Sequence, residues 1–268
     1  MTDTGVAQAD VERRFGGLRR LYGEAGYARL RAMRAAVVGV GGVGSWATEA
    51  LARNGIATLV LIDLDHVAES NINRQVQALG RTLGQAKVQA LRERIADIHP
   101  GCEVLCVEEF VDAQNWPALL PQPVDVLIDA CDQVRAKAAL AAWTLRTGQP
   151  LVCVGAAGGK RLPQAVQVQD LAETTHDPLL AALRQRLRRE HGAPRQGRIG
   201  LRCVYSRETV ALPEAACDSD AGTDGTLNCH GYGSSVTVTA TFGMVAAAEA
   251  IALHLAARGA EEGSAGPL

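Results

Sequence analysis

The chain has 268 residues, enough for one large core or for one domain with an extension. Apolar residues make up 47% and charged residues 21%, the balance of a soluble globular protein. The formal net charge is −2, so no global field draws the chain to nucleic acid, and any such binding needs a local basic patch.

Residues 1–9 are polar, lack a signal-type apolar run and are expected to be disordered. Asp10 to Leu30 is arginine-rich, with Phe15, Leu18, Leu21 and Tyr22 interleaved, which predicts a docked segment rather than a free tail. Arg13, Arg14, Arg19 and Arg20 form either a solvated face or a phosphate contact, in this chain or a neighbouring subunit.

Ala35 to Asp63 is the stretch that organises the rest. Ala36–Val40 reads as a buried strand. Gly39, Gly41 and Gly44 then follow in G-x-G-x-x-G spacing, with Gly42 between them, and open a helix over Ser45–Asn54. Trp46, Ala50 and Leu51 share one face of that helix, and Gly55 stops it. Thr58–Ile62 is a second buried strand, ending in Asp63. Such glycines either admit a phosphate to the backbone or merely allow close helix–sheet packing. Strand, glycines, helix, strand and terminal acid in this order favour a nucleotide: phosphates at the helix N-terminus, ribose hydroxyls on the acid.

Residues 64–75 are too polar for a buried strand and too long for a tight turn, so they read as a working loop. It holds Asp65 and packs Asn71, Asn73, Arg74 and Gln75 together. An amphipathic helix is expected over Gln85–Ile98, with Lys87 in its first turn. A cation there opposes the helix dipole, so Lys87 is either an ordinary surface lysine or one that answers an anion. Cys102–Val107 and Val124–Ile128 read as strands, the latter running into Asp129 and Asp132. An acid at the end of a parallel strand lies on the ligand side of the sheet, which makes Asp129 a candidate Mg²⁺ ligand against a triphosphate. Asp132 is the expected N-cap of a helix to Thr147, and Pro150–Val154 is the next strand.

From Lys160 the composition changes. Strands are expected at Ala165–Val168 and Cys203–Ser206, and an amphipathic helix at Asp177–Glu190. Arg184, Arg186, Arg188, Arg189, Arg195, Arg198 and Arg202 form the densest basic region, either a solvated face or a phosphate-backbone grip. Pro213–Gly233 reads as a mobile loop, and its Asp218, Asp220 and Asp224 lack calcium-loop spacing. Val236–Ala257 is apolar and long enough to cross a bilayer, but its Glu249, its small residues and its lack of a basic flank favour a buried helix. The seven cysteines form no C-x-x-C pair, so neither zinc nor a disulfide framework is expected, and a cytoplasmic location follows.

Taken together, G-V-G-G-V-G-S, L-I-D-x-D, N-x-N-R-Q, Lys87 and I-D-A-x-D resemble the ubiquitin-activating-enzyme-like adenylating superfamily. R-F-G-G-L-x-R-L-Y-G near the start, D-x-V-R-x-K-A-A-L from Asp132 and C-x-G-x-G-x-x-x-x-V-T-A-T-F-G from Cys229 resemble the branch that acts on threonylcarbamoyladenosine in tRNA. The resemblance runs from about residue 12 to residue 257 and implies an α/β fold: a Rossmann-like, mainly parallel sheet with helices on both faces, plus a C-terminal extension. It implies a single adenylating domain over 12–257, with a nucleotide-binding core about 33–155, an extension about 156–257, and tails at 1–11 and 258–268.

The resemblance also implies roles. Gly39, Gly41, Gly42 and Gly44 hold ATP phosphates, with Asp63, Asp65 and Gln75 at the nucleotide. Asn71, Arg74 and Lys87 grip phosphates, and Asp129 binds Mg²⁺. Arg14 reaches a partner's ATP in a homodimer, although Arg13 beside it leaves the register open. Cys229 is either a nucleophile, in a thioester or in sulfur relay with a cysteine desulfurase or other sulfur acceptor, or a small filler. The implied reaction is ATP-driven loss of water from the modified adenosine at position 37 of tRNA, through an acyl-adenylate. An adenylating enzyme for a ubiquitin-like or sulfur-carrier C-terminus and a nicotinamide-dependent oxidoreductase are the alternatives.

Overall fold

The computed structural model describes residues 10–211 and 232–257. Seven strands form one sheet in the order β3-β2-β1-β4-β5-β7-β6. They are β1 (Arg34–Val38), β2 (Thr58–Ile62), β3 (Glu103–Val107), β4 (Val126–Asp129), β5 (Leu151–Val154), β6 (Val166–Asp170) and β7 (Arg202–Ser206). All neighbours run parallel except β6, which lies antiparallel to β7. The chain builds outward from β1 to β3 on one side, then crosses to β4 on the other. This reversal opens a crevice at the carboxyl ends of β1 and β4, where open α/β sheets take their ligands. The stretch expected to be an extension supplies β6 and β7 to the same sheet.

Alternation along β1 divides the core. Ala35 and Val37 face a cluster with α2 (Gly17–Ala32), α3 (Gly44–Arg53), α4 (Lys87–Ile98) and α7 (Val236–Ala257). Ala36 and Val38 face another with α5 (Val134–Thr147) and α6 (Pro178–Glu190). Helices therefore cover both faces, as mainly parallel sheets require. The short α1 (Val11–Phe15) docks ahead of α2 through Phe15, which is buried and stacks at 4.7 Å on His99.

Several boundaries differ from those read in the sequence, and each has a local cause. β1 ends at Val38 rather than Val40, because Gly39 takes φ 81° and turns the Val40 N–H out of the ladder and onto Asp63. α3 is buried nearly all round rather than on one face, since α7 packs along it on the same face of the sheet, against β4 and β5. A Cβ at Gly243 would lie 2.6 Å from the Val43 carbonyl, so these two helices cross backbone against backbone. Asp132 does not cap α5, whose N-cap is Gln133 with no side-chain bond. Asp177 does cap α6, accepting from the Leu180 N–H at 2.9 Å. α7 has the length and a mean hydropathy of 1.7 that a membrane span needs, yet Val238, Phe242, Ala246, Ala250 and Ile251 are buried in the sheet-side core.

Candidate active site

A cavity of about 520 Å³ occupies the crevice, a volume within the range of small-molecule sites. Its wall begins at the glycine turn. Gly39 and Gly44 are structural members of it: a Cβ on either would strike backbone at the turn or at Ala130 and Cys131. Gly41 and Gly42 line the cavity together with Gly39, and nothing lies nearer than 3.9 Å to where a Cβ of Gly41 would stand. The first turn of α3 follows directly, with N–H groups and the positive end of its dipole available to an anion.

Asp63 follows β2 at the cavity edge. Its Oδ2 accepts the Val40 N–H at 2.8 Å and its Oδ1 the Asp65 N–H at 2.9 Å. Burial pushes its pKa up, opposed by the charge of Lys87 and by those two N–H bonds. Two accepted bonds leave lone pairs on both oxygens for hydroxyl donors.

The polar loop of residues 64–75 lines the same space through Asp65, Asn71, Arg74 and Gln75. Asn71 is buried, and its side-chain oxygen accepts from the Ala68 N–H at 3.0 Å, which fixes the loop. Asn73 points away and donates to the Ser234 carbonyl at 2.9 Å. Lys87 is neither a surface lysine nor free. It is 6% exposed, and its Nζ pairs with Asp65 Oδ2 at 2.7 Å. The Lys87 amide also donates to the Asp65 carbonyl at 2.9 Å, so one residue answers both polar groups of the lysine. The partner cancels the unfavourable placement of a cation at a helix N-terminus.

Asp129 turns inward. Its carboxylate is fully enclosed and does not line the cavity. Oδ2 pairs at 3.1 Å with the equally enclosed Lys137 Nζ from α5, and Oδ1 accepts from the Cys131 thiol at 2.8 Å. A carboxylate so occupied does not fit a Mg²⁺ ion. Asp132, three residues on, is exposed and lines the cavity. The described residues hold no cluster of three metal-binding side chains. Asp132 and the exposed Glu109 are open carboxylates at the cavity, and one such group fits the way Mg²⁺ binds in nucleotide sites, with most of its shell from phosphates and water.

Arg14 lies at the end of α4. Its Nη1 donates to the carbonyls of Asp97 and Ile98, each at 2.7 Å, and so caps the C-terminus of α4 within its own chain. Arg13 beside it is exposed. Cys229 lies outside the described residues, as does the acidic run Asp218, Asp220 and Asp224. The basic region is largely engaged at short range: Arg184 on the carbonyls of Leu171 and Thr174, Arg186 and Arg189 on Glu190, Arg202 on Glu249.

Three of the four residues expected around one ligand, Asp63, Arg74 and Lys87, line one cavity, and Asp132 takes the place of Asp129. Two further contributors had no signal of their own in the sequence, the Gly155–Gly158 turn after β5 and the half-exposed Phe110 after β3, while Thr239 of α7 sat in a motif that gave it no role.

The ThiF family profile matches residues 15–266. A tRNA threonylcarbamoyladenosine dehydratase of Escherichia coli (strain K12) is 44% identical over 246 residues, covering 89% of this chain and 92% of that protein. The same-named protein of Haemophilus influenzae is 39% identical over 252 residues, covering 92% and 96%. A solved structure of the E. coli tRNA N6-threonylcarbamoyladenosine dehydratase in complex with ATP superposes with a TM-score of 0.82 at 41% identity, over 95% of this chain and 97% of that one.

Proposed function

The chain belongs to the ThiF family, and on that premise we propose that it removes one water from the threonylcarbamoyl group of a modified adenosine in tRNA, driven by ATP. One observation carries the reading. A single cavity gathers Gly41, Asp63, Arg74 and Lys87 in a chain that matches, over nearly its whole length, a protein solved with ATP.

The chemistry explains why these residues suffice. A carboxylate is a poor electrophile because oxide is a hopeless leaving group. When one carboxylate oxygen of the threonyl group attacks the α-phosphorus, an acyl–phosphate bond forms, the bond to pyrophosphate breaks, and the carbonyl gains AMP as leaving group. The neighbouring carbamoyl group then closes a ring on that carbonyl carbon. AMP departs carrying the attacking oxygen, and a proton goes to solvent. No protein nucleophile is required, so Cys229 has no obligatory part.

The protein's task is placement and charge neutralisation. The α3 N-terminus and the open backbone at Gly41 and Gly42 receive phosphate oxygens. Asp63 takes the ribose hydroxyls. Arg74 and Lys87 meet the charge that builds on departing pyrophosphate, for which Lys87 exchanges its bond to Asp65. Asp132 would hold Mg²⁺, which when bound would add positive charge at the phosphates. In a homodimer, Arg13 rather than Arg14 has the freedom to reach the other subunit's nucleotide. The five free thiols among the described residues agree with a reducing, cytoplasmic setting.

The test is incubation with ATP, Mg²⁺ and bulk tRNA, followed by nucleoside analysis. AMP release matched by loss of one water from threonylcarbamoyladenosine supports the assignment. AMP release that depends instead on a small protein's C-terminus would transfer it to the carrier-activating branch.

A further inference from the structure

Arg74 lies in the loop between β2 and α4, yet its backbone is held from two other elements. The indole Nε1–H of Trp46, on α3, donates to the Arg74 carbonyl at 2.9 Å. The Thr239 hydroxyl, on α7, reaches the same oxygen at 3.4 Å. The preceding Asn73 donates to the Ser234 carbonyl, just ahead of α7, at 2.9 Å. Gly42 is wedged among these groups: a Cβ there would meet Arg74 Cδ and Thr239 Cγ2, both at 3.3 Å. The stem of Arg74, the phosphate turn and α7 are thus in contact around one glycine.

α7 has little freedom to move within this arrangement. A Cβ on Gly243 would stand 2.6 Å from the Val43 carbonyl, 2.7 Å from Trp46 Cβ and 2.8 Å from the Ala47 nitrogen. The helix that carries Thr239 is therefore locked to the helix that carries Trp46, one turn beyond the phosphate loop. Trp46 itself is partly buried. What tryptophan supplies that phenylalanine lacks is one N–H, and that N–H goes to Arg74.

We propose that Trp46 is a positioning residue for the Arg74 side chain, acting with Thr239 to tie α7 to the triphosphate end of the cavity. The proposal rests on the assignment of Arg74 to the phosphates beyond the α position. Its consequence is selective: the clamp acts on the part of the ligand that ATP has and AMP lacks. Loss of the clamp weakens ATP and spares AMP, whereas loss of general packing weakens both.

Titration calorimetry on the full chain, with Mg²⁺–ATP and with AMP, separates these outcomes for Trp46→Phe, Thr239→Val and Arg74→Ala. Trp46→Phe is expected to weaken ATP about five-fold, the worth of one ordinary hydrogen bond, with AMP unchanged. Thr239→Val acts in the same direction but less, because its bond is longer, and it stands in if Trp46→Phe does not fold. Trp46→Phe combined with Arg74→Ala binds ATP no more weakly than Arg74→Ala alone. Equal weakening of ATP and AMP by Trp46→Phe and Thr239→Val, or no weakening of either, overturns the proposal. If Arg74→Ala shifts the ATP-to-AMP ratio and the two clamp variants do not, the clamp alone is wrong. If Arg74→Ala leaves the ratio unchanged, the assignment of Arg74 falls and the clamp with it.

Discussion

Replacing Lys137 by methionine keeps the length of the side chain and deletes its charge. Both Lys137 and Asp129 are fully enclosed, and Nζ lies 3.1 Å from Asp129 Oδ2 and 3.3 Å from the Asp129 carbonyl. The variant strands an ionised carboxylate that keeps only the Cys131 N–H and the thiols of Cys131 and Cys153 as partners. Breaking one side of such a pair costs about 3–5 kcal/mol. Asp129→Asn in the same chain removes the second charge and recovers most of the loss. Urea unfolding of Lys137→Met and of the double variant, at neutral pH, measures this. A single variant that loses less than about 1 kcal/mol at neutral pH, or a double variant no better than the single, would show that the pair is not the constraint described.

Other variants probe separate parts of the account. Asp132→Asn is expected to raise the Mg²⁺ concentration for half-maximal turnover at least about ten-fold, the loss seen even for outer partners of metal sites, while Asp129→Asn leaves it unchanged; a metal titration of turnover decides between the two carboxylates. Asp170 is nearly buried and accepts N–H bonds from Ala172, Ile199 and Gly200 at 2.9, 2.8 and 2.7 Å. Burial pushes its pKa up, but these bonds and Arg198 outweigh it and hold the pKa below the ordinary value. Its stabilisation is therefore present above the unfolded pKa and lost as pH falls, and Asp170→Asn should cost about 1–3 kcal/mol at neutral pH with the gap closing in acid; a gap that persists in acid refutes the charge argument. Gly39→Ala puts a Cβ 2.9 Å from the Cys131 nitrogen at φ 81°, which costs about 1–2 kcal/mol for the left-handed backbone before any contact is counted. Its unfolding midpoint should drop and its ATP affinity with it.

What the sequence disclosed was short-range. The glycines, the helix they open and Asp63 lie within one strand–helix–strand unit, so spacing alone placed them. Lys87 stood out because a cation at a helix N-terminus opposes the dipole, though its partner Asp65 comes from across a loop. Asp129 and Asp132 sit in one four-residue motif, and spacing does not say which carboxylate turns inward. That is decided by Lys137, which reaches Asp129 from α5 and leaves Asp132 to the cavity. The C-terminal end of β1 shifted for a similar reason: Val40 has strand chemistry, but the turn at Gly39 diverts its N–H to Asp63. Thr239 and the full burial of α3 depend on α7, which meets α3 only in the folded chain. Arg14 carried the motif, yet the carbonyls that claim it lie at the far end of α4.

The central claim is that one cavity makes the threonyl carboxylate a nucleophile toward the α-phosphorus of ATP. Preparing the tRNA with heavy oxygen in that carboxylate and weighing the products tests it directly. The account predicts AMP that carries one heavy oxygen for each ring closed, with pyrophosphate unlabelled. Heavy oxygen appearing in water or in inorganic phosphate, with AMP unlabelled, would contradict it.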